Sequence, residues 1–274
     1  MTTEIAGLTV ETTEPRGAVR PEPVLFVHGM WGGAWMWEPY LDFFAARGWR
    51  GYALNLRGHH GSRPVPDIGR VSIHDYVADA RAVAETLGRP VVIGHSMGGL
   101  LAQKLAELLA PPAVVAVTPA APRGVLALNT LELAGAALRH LPEILGRRPL
   151  MPAFAEMEAL ELNRLPPADR RAVYERMVPE SGRMTFDIAV TGLRVEARRV
   201  RSPMLVVAGA DDRITPAKMV RRVARRYGAT LREYPGFAHM LLMEPGWERI
   251  AGDIADWLET ATRSAGVAAG REPR

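Results

Sequence analysis

The sequence predicts an α/β domain: a doubly wound, mostly parallel sheet with a helical lid inserted into it. Three observations lead there. Short apolar runs rich in Val, Ile and Leu alternate with stretches of helical periodicity, the pattern of repeated βα units. One run, Val91-Val92-Ile93, passes straight into Gly94-His95-Ser96-Met97-Gly98 and then into an apolar helix. The strand pattern also stops between about residues 121 and 200 and then resumes. Residues 1–120 and 201–274 are therefore expected to form the core, and 121–200 the inserted lid.

Residues from about 5 to 20 are polar around a Pro/Gly break and read as an N-terminal hairpin. Pro23 to Val27 is a buried strand that ends at His28-Gly29. A helix from Trp37 to Ala46 closes at Gly48, a strand runs from Trp49 to Leu56, and Arg57 to Ser62 is loop. His74 to Leu87 sets Tyr76, Val77, Ala80, Val83, Ala84 and Leu87 at helical spacing, and Gly88 stops it. Leu100 to Leu109 is the helix beyond the serine, and Val114 to Val117 the next strand. The insertion carries helical segments, a Pro166-Pro167 break and no strand pattern. Met204 to Ala208 restores the sheet, and Thr215 is expected to N-cap a helix with Pro216 in its first position. Thr230 to Tyr234 is the last strand, Pro245 to Ala261 the last helix, and Gly266 to Arg274 a frayed tail.

Composition narrows the function classes. The 274 residues, 48% of them hydrophobic, suffice for one large α/β domain with an insertion. No run of eighteen apolar residues exists, which excludes a membrane-spanning helix. The N-terminus is polar and acidic, without the basic-then-apolar order of a secretory signal, so a cytoplasmic location is expected. The absence of cysteine excludes disulfides, thiolate metal sites and a cysteine nucleophile. The pI is near 9.7, but the net charge is only +4. Apart from Lys104 and Lys218 every basic residue is an arginine, often in mixed patches such as Arg221, Arg222, Arg225 and Arg226. This reads as compositional bias, and no nucleic-acid partner is expected. His59-His60 lacks metal-ligand spacing, and the Gly29 to Gly33 loop lacks both nucleotide-binding glycine orders, so neither a metal nor a cofactor is expected.

A strand that turns at once into a helix around a serine forces that serine into a strained, exposed position. Flanking glycines remove the side chains that would clash. The hydroxyl then stands at a helix N-terminus, where the dipole and free N–H groups favour developing negative charge. Ser96 is the candidate nucleophile, and it needs a base, an acid to orient the base, and oxyanion donors. Of the seven histidines, His239 lies in a loop just after a strand and is the candidate base. His95, inside the turn, cannot swing back to the Ser96 hydroxyl, and His28 reads as a loop brace. His59, His60, His74 and His140 sit in loop or helical stretches and read as structural or solvated. The orienting acid should follow the Met204–Ala208 strand, where Asp212 is preferred and Asp211 is the alternative; either could instead make an Asx-turn. Thr118, which ends the previous strand, is not an acid.

The oxyanion amides should be those of Met97 and of a residue in His28 to Gly33, with Met30 the best placed. Trp31, Trp35 and Trp37, with the lid, suggest an apolar pocket mouth in which Trp31 contacts substrate, although such aromatics are as often core. The insertion also holds Leu126, Leu128, Leu131, Leu133, Leu138, Met151, Phe154, Met157, Met177 and Met184. These either line an adaptable pocket or dock the lid onto the core.

Together these residues resemble the α/β-hydrolase superfamily, in its lid-bearing branch of carboxylesterases and lipase-like enzymes. His28-Gly29-Met30, Leu56-Arg57-Gly58-His59-His60-Gly61-Ser62, Gly94-His95-Ser96-Met97-Gly98-Gly99, Asp212-Arg213-Ile214-Thr215-Pro216 and Gly236-Phe237-Ala238-His239 match its landmarks in order. The resemblance covers nearly all of the chain except the lid. It departs at Asn55, where the family often has Asp before the Arg57-Gly58 loop, and this puts local loop bracing, not catalysis, in question. It implies a Ser96–His239–Asp212 triad, Met30 and Met97 as oxyanion donors, and no cofactor or metal. The implied substrate is a small-molecule ester with an apolar, short to medium acyl group, cleaved through an acyl-enzyme. Serine at the turn argues against epoxide or haloalkane hydrolysis, for which relatives carry Asp there. The same triad would also serve perhydrolysis, C–C bond hydrolysis, thioester hydrolysis or a lyase step. More remote readings are a non-catalytic ligand-binding protein or a scaffold. Oligomeric state is not legible in the sequence.

Overall fold

Side chains alternate across a strand, so a strand that is apolar at every position must be covered on both faces. Four runs of this kind form the centre of the computed structural model, which describes residues 1–125 and 131–269. In chain order the strands are β1 (Thr2–Ile5), β2 (Leu8–Thr13), β3 (Val24–Val27), β4 (Gly51–Leu54), β5 (Val91–His95), β6 (Val114–Val117), β7 (Pro149–Leu150), β8 (Glu180–Ser181), β9 (Met204–Gly209) and β10 (Thr230–Tyr234). Every residue of β3, β5, β6 and β9 is buried. The eight-stranded sheet runs β1-β2-β4-β3-β5-β6-β9-β10. Its β1–β2 and β2–β4 pairs are antiparallel and all its other pairs parallel.

The helices are α1 (Glu38–Ala46), α2 (Ile73–Thr86), α3 (Met97–Leu109), α4 (Leu131–Arg139), α5 (Leu141–Gly146), α6 (Phe154–Leu160), α7 (Pro167–Glu175), α8 (Gly182–Phe186), α9 (Ala217–Tyr227) and α10 (Trp247–Ala269). Leu25, Val27, Val92 and Val206 face one way, onto Tyr76 and Val83 of α2, Leu101 and Leu105 of α3 and Val220 of α9. Phe26, Ile93, Val115 and Val207 face the other, onto Tyr40 and Phe44 of α1 and Ile254 and Leu258 of α10. This is the doubly wound arrangement that the alternation predicts. Ser72 and Asp75 form a capping box that starts α2 at Ile73.

Register brings the site together. Val27 lies opposite Gly94, His95 opposite Val117, and Val117 opposite Val207. The loops after β3, β5, β6 and β9 therefore leave the sheet at one edge. The strand order reverses between β3 and β5, the crevice where ligands bind in open α/β sheets.

Several expectations need correction. α3 begins at Met97, three residues early, because the turn at Ser96 feeds the helix directly. Thr215 does not cap α9: Pro216 holds the N-cap place and no side chain caps it, because the Thr215 hydroxyl is used elsewhere. α10 runs on through Gly266 to Ala269, where a frayed tail was expected, and residues 270–274 lie outside the described ones. Within the insertion, α4 to α8 are joined by a two-residue antiparallel pair, β7–β8, too short to leave a periodic signal in sequence. Leu126, Leu128 and the side chain of Leu131 lie outside the described residues. Among the described residues no helix is long and apolar enough to cross a membrane.

Candidate active site

Ser96 joins β5 to α3 with φ 54° and ψ −116°. A non-glycine residue held there costs on the order of 1–3 kcal/mol, so its surroundings must over-determine it. Its N–H donates to Val117 O at 2.9 Å, and its carbonyl accepts from Ala120 N at 2.9 Å and Leu100 N at 3.2 Å. A Cβ on Gly94 would collide with the Gly98 carbonyl, and one on Gly98 with the Val27 carbonyl. Glycine is thus required at both flanks by the close approach of α3 to β5 and β3. The Ser96 side chain opens onto a cavity of about 190 Å³.

His239, in the loop after β10, lines the same cavity. Its Nδ1–H donates to Asp212 Oδ2 at 2.9 Å. Asp212 is buried in the loop after β9, and its Oδ1 accepts the N–H groups of Ile214 and Thr215, both at 2.8 Å. The Thr215 hydroxyl lies 2.7 Å from Asp212 Oδ2 and 3.0 Å from Thr118 O, between two acceptors. The neighbouring Asp211 turns away and pairs with Arg164. The backbone of His239 is pinned as well: its carbonyl accepts from His95 Nε2 at 2.8 Å and from the Thr118 hydroxyl at 3.3 Å. The Glu244 carboxylate accepts the Ala238 N–H at 2.8 Å.

Burial lowers the His239 pKa, but the Asp212 carboxylate and its hydrogen bond outweigh it, and the net shift is upward. Burial likewise raises Asp212, yet the charge of His239 and hydrogen bonds from His239 and Thr215 hold it below the ordinary carboxylate value. Burial and the neighbouring His239 push His95 down to about 3, so it is a neutral donor at physiological pH.

The loop after β3 is braced from within. His28 Nδ1–H donates to Gly29 O at 2.7 Å, and its Nε2 accepts from Leu56 N at 3.2 Å. Asn55 Oδ1 accepts from Ala34 N at 2.7 Å, so the amide side chain braces the loop after β3. Met30 and Met97 both line the cavity, and neither backbone N–H donates to an acceptor among the described residues. Trp31 also lines it and ties the loop to the insertion through Nε1–H to Leu150 O at 3.1 Å. Trp35 and Trp37 do not join it. Trp37 packs on Phe26 and Tyr40 in the core, and Trp35 bonds His60.

The insertion supplies much of the remaining wall, including Leu133, Ala136, Ile144, Met157 and Leu160. Of its methionines, Met177 and Met184 are buried in the two sheet-face cores and dock the insertion; Met157 lines the cavity. Leu138 is exposed. Two histidines expected to be solvated or structural have carboxylate partners far away in sequence. His140 meets Glu156 at 3.0 Å on the cavity wall, and buried His59 lies 3.3 Å from Glu180.

Glu161 was missed as well. It lines the cavity with Ser96 and His239, and burial, with the nearby Asp212 charge, raises its carboxyl to about 7. A signal existed: Met157, Leu160 and Glu161 share one helical face at i, i+3 and i+4, which sets a carboxylate on an apolar stripe.

A serine hydroxyl, an imidazole bonded to a buried carboxylate and two amides without an acceptor among the described residues thus line one apolar cavity. These are the groups that attack on a carbonyl carbon requires. Among the described residues no group of three or more His, Cys, Asp or Glu could hold a metal ion.

Residues 24–252 match the Alpha/beta hydrolase family. The monoacylglycerol lipase of Mycolicibacterium smegmatis is 27% identical over 262 residues, covering 90% of this chain and 89% of the lipase. The non-heme chloroperoxidase of Burkholderia pyrrocinia is 26% identical over 257 residues, covering 81% and 86%. Among solved structures, the monoacylglycerol lipase of Paleococcus ferrophilus aligns with a TM-score of 0.72 at 26% identity, over 93% of this chain and 99% of that one.

Proposed function

This chain belongs to the Alpha/beta hydrolase family, and on that premise we propose that it is a serine hydrolase of carboxylic esters with apolar, short to medium acyl groups. Ser96 Oγ attacks the ester carbonyl while His239 Nε2 takes its proton, and the N–H groups of Met30 and Met97 hold the oxyanion. His239 then returns the proton to the leaving alcohol, giving an acyl-enzyme. Water activated by His239 attacks the acyl carbon, releases the acid and restores Ser96. Asp212 fixes the tautomer of His239 and stabilises its charged form. The apolar wall holds the acyl chain, and the insertion from 121 to 200 acts as its lid.

The observation that carries this reading is the buried Asp212–His239 hydrogen bond at 2.9 Å, facing a cavity that also holds Ser96. The test is Ser96→Ala on a chromogenic butanoate ester. Turnover should fall at least about a thousandfold with the fold intact, as for removal of a nucleophile. A variant that keeps a tenth of the wild-type rate refutes the assignment.

The similarity to a non-heme chloroperoxidase favours a second reading, perhydrolysis, in which peroxide replaces water in the second half-reaction. Halogenation of an indicator in the presence of peroxide, a carboxylic acid and bromide, which the peracid formed would oxidise, at rates comparable to ester hydrolysis, would favour it.

A further inference from the structure

The cavity contains one carboxyl group that the chemistry above leaves unused. Glu161 is 3% exposed, and what is exposed faces the cavity. Its side chain makes no hydrogen bond or ion pair among the described residues, although it lies close enough to feel the charges of both His239 and Asp212. A buried carboxyl without a protein partner is costly, and a donor brought into the cavity by a substrate would relieve that cost.

Its place is held from both sides. Arg213 donates to Ala159 O at 2.9 Å, and Arg164 pairs with Asp211. Residues 159 and 164 are thus each fastened to the loop that carries Asp212, and Glu161, just beyond the end of α6, sits between the two ties. The His239 proton is delivered to the oxygen of the leaving alcohol, so a group beside His239 on the cavity wall faces the alcohol side of a bound ester. Of the two carboxyl groups lining the cavity, Glu156 is already paired with Arg139 and His140, which leaves Glu161 as the carboxyl free to accept from the alcohol side.

Building on the ester-hydrolase reading, we infer that Glu161 is a specificity residue for the leaving group. It selects esters whose alcohol carries a further hydrogen-bond donor, a hydroxyl or an ammonium, near the ester oxygen. A simple alkyl alcohol of equal size leaves the carboxyl unsatisfied, and sites of this kind discriminate strongly against an analogue that lacks the donor. The raised pKa of Glu161 agrees with a desolvated carboxyl that a donor would satisfy.

The matched pair for the test is propyl butanoate and 2-hydroxyethyl butanoate, which differ by a methyl against a hydroxyl. Both give the same acyl-enzyme, so the ratio of their kcat/KM values reports acylation alone. Wild type should favour the hydroxyethyl ester by about tenfold or more, the range for a hydrogen bond to a charged group. Glu161→Leu should bring the ratio close to one. Glu161→Gln, of equal size and still an acceptor, should fall between them and guards against loss of fold in the leucine variant. A 2-(dimethylamino)ethyl ester shows whether ammonium or hydroxyl is the better donor.

A ratio near one in wild type, or one unchanged in Glu161→Leu, overturns the inference, as does an equal loss on both esters, the signature of a carboxyl that only tunes His239. Labelling of Ser96 by a fluorophosphonate separates the two levels of failure. Labelled enzyme without the preference refutes the leaving-group role alone, whereas wild type that does not label refutes the serine-hydrolase reading beneath it.

Discussion

Asp212→Asn tests the hydrogen-bond arithmetic of the site. The Asp212 carboxylate accepts from four donors: two backbone N–H groups on Oδ1, and the Thr215 hydroxyl and His239 Nδ1–H on Oδ2. An asparagine has one acceptor oxygen, and the Ile214 and Thr215 amides cannot reverse, so the oxygen must stay with them. The NH2 group then faces His239 and the Thr215 hydroxyl. That hydroxyl adapts by donating to Thr118 O alone, but the imidazole can adapt only by becoming an acceptor at Nδ1. Its proton moves to Nε2, the atom that has to receive the proton of Ser96. The wrong tautomer together with the lost charge should lower kcat by about 10⁴, equivalent to about 5.5 kcal/mol in the barrier. Asp211→Asn removes only the partly exposed pair with Arg164 and should stay within about threefold of wild type. Steady-state hydrolysis of a chromogenic butanoate ester, with melting curves for both variants, reads the difference. More than a tenth of wild-type kcat in folded Asp212→Asn, or an equal loss in Asp211→Asn, refutes the reasoning.

Two further outcomes follow from the same geometry. His239 must be neutral to act as a base, and Asp212 raises its pKa, so kcat/KM should climb with pH through a midpoint above the usual imidazole value of about 6.5. Any activity left in Asp212→Asn should show that limb moved to lower pH, and a limb unmoved by the substitution contradicts the assignment. Met157→Ala should raise KM for short esters more than it lowers kcat and shift the optimum to longer acyl chains. The change should be about fourfold for each methylene of the substrate left without a wall to pack on, at about 0.8 kcal/mol per methylene. Met184→Ala, away from the cavity, should lower Tm and leave the acyl-length profile alone; identical profiles for wild type and Met157→Ala would make Met157 a docking residue only.

What was legible in the sequence was local. The β-branched runs of β3, β5, β6 and β9 are long enough and apolar enough to declare central strands. α2 announces itself through its spacing and its Ser72–Asp75 start. The Ser96 turn is legible because strand, glycines and helix are contiguous. What was not legible depends on partners remote in sequence. Thr215 is the exception: it looked like a helix cap because that is the commonest use of a threonine before Pro, and its partner Asp212 is only three residues away, but the turn that brings the two together is set by His239, which is remote. His59 with Glu180 is joined only once the insertion has folded back over the core, and His140 with Glu156 only once the insertion's own helices have packed together. Glu161 reads as one more helical glutamate until Arg213 and Arg164 fasten its neighbours beside His239. The β7–β8 pair is shorter than any period that could reveal it.

The most direct measurement is the site of covalent capture. Wild-type protein treated with a fluorophosphonate, digested and mapped by mass spectrometry should carry a single adduct on Ser96. Asp212→Asn should form the same adduct at a rate lowered by orders of magnitude, and Ser96→Ala none. An adduct on another residue, or ester turnover that survives full labelling of Ser96, would contradict the assignment of Ser96 as the nucleophile.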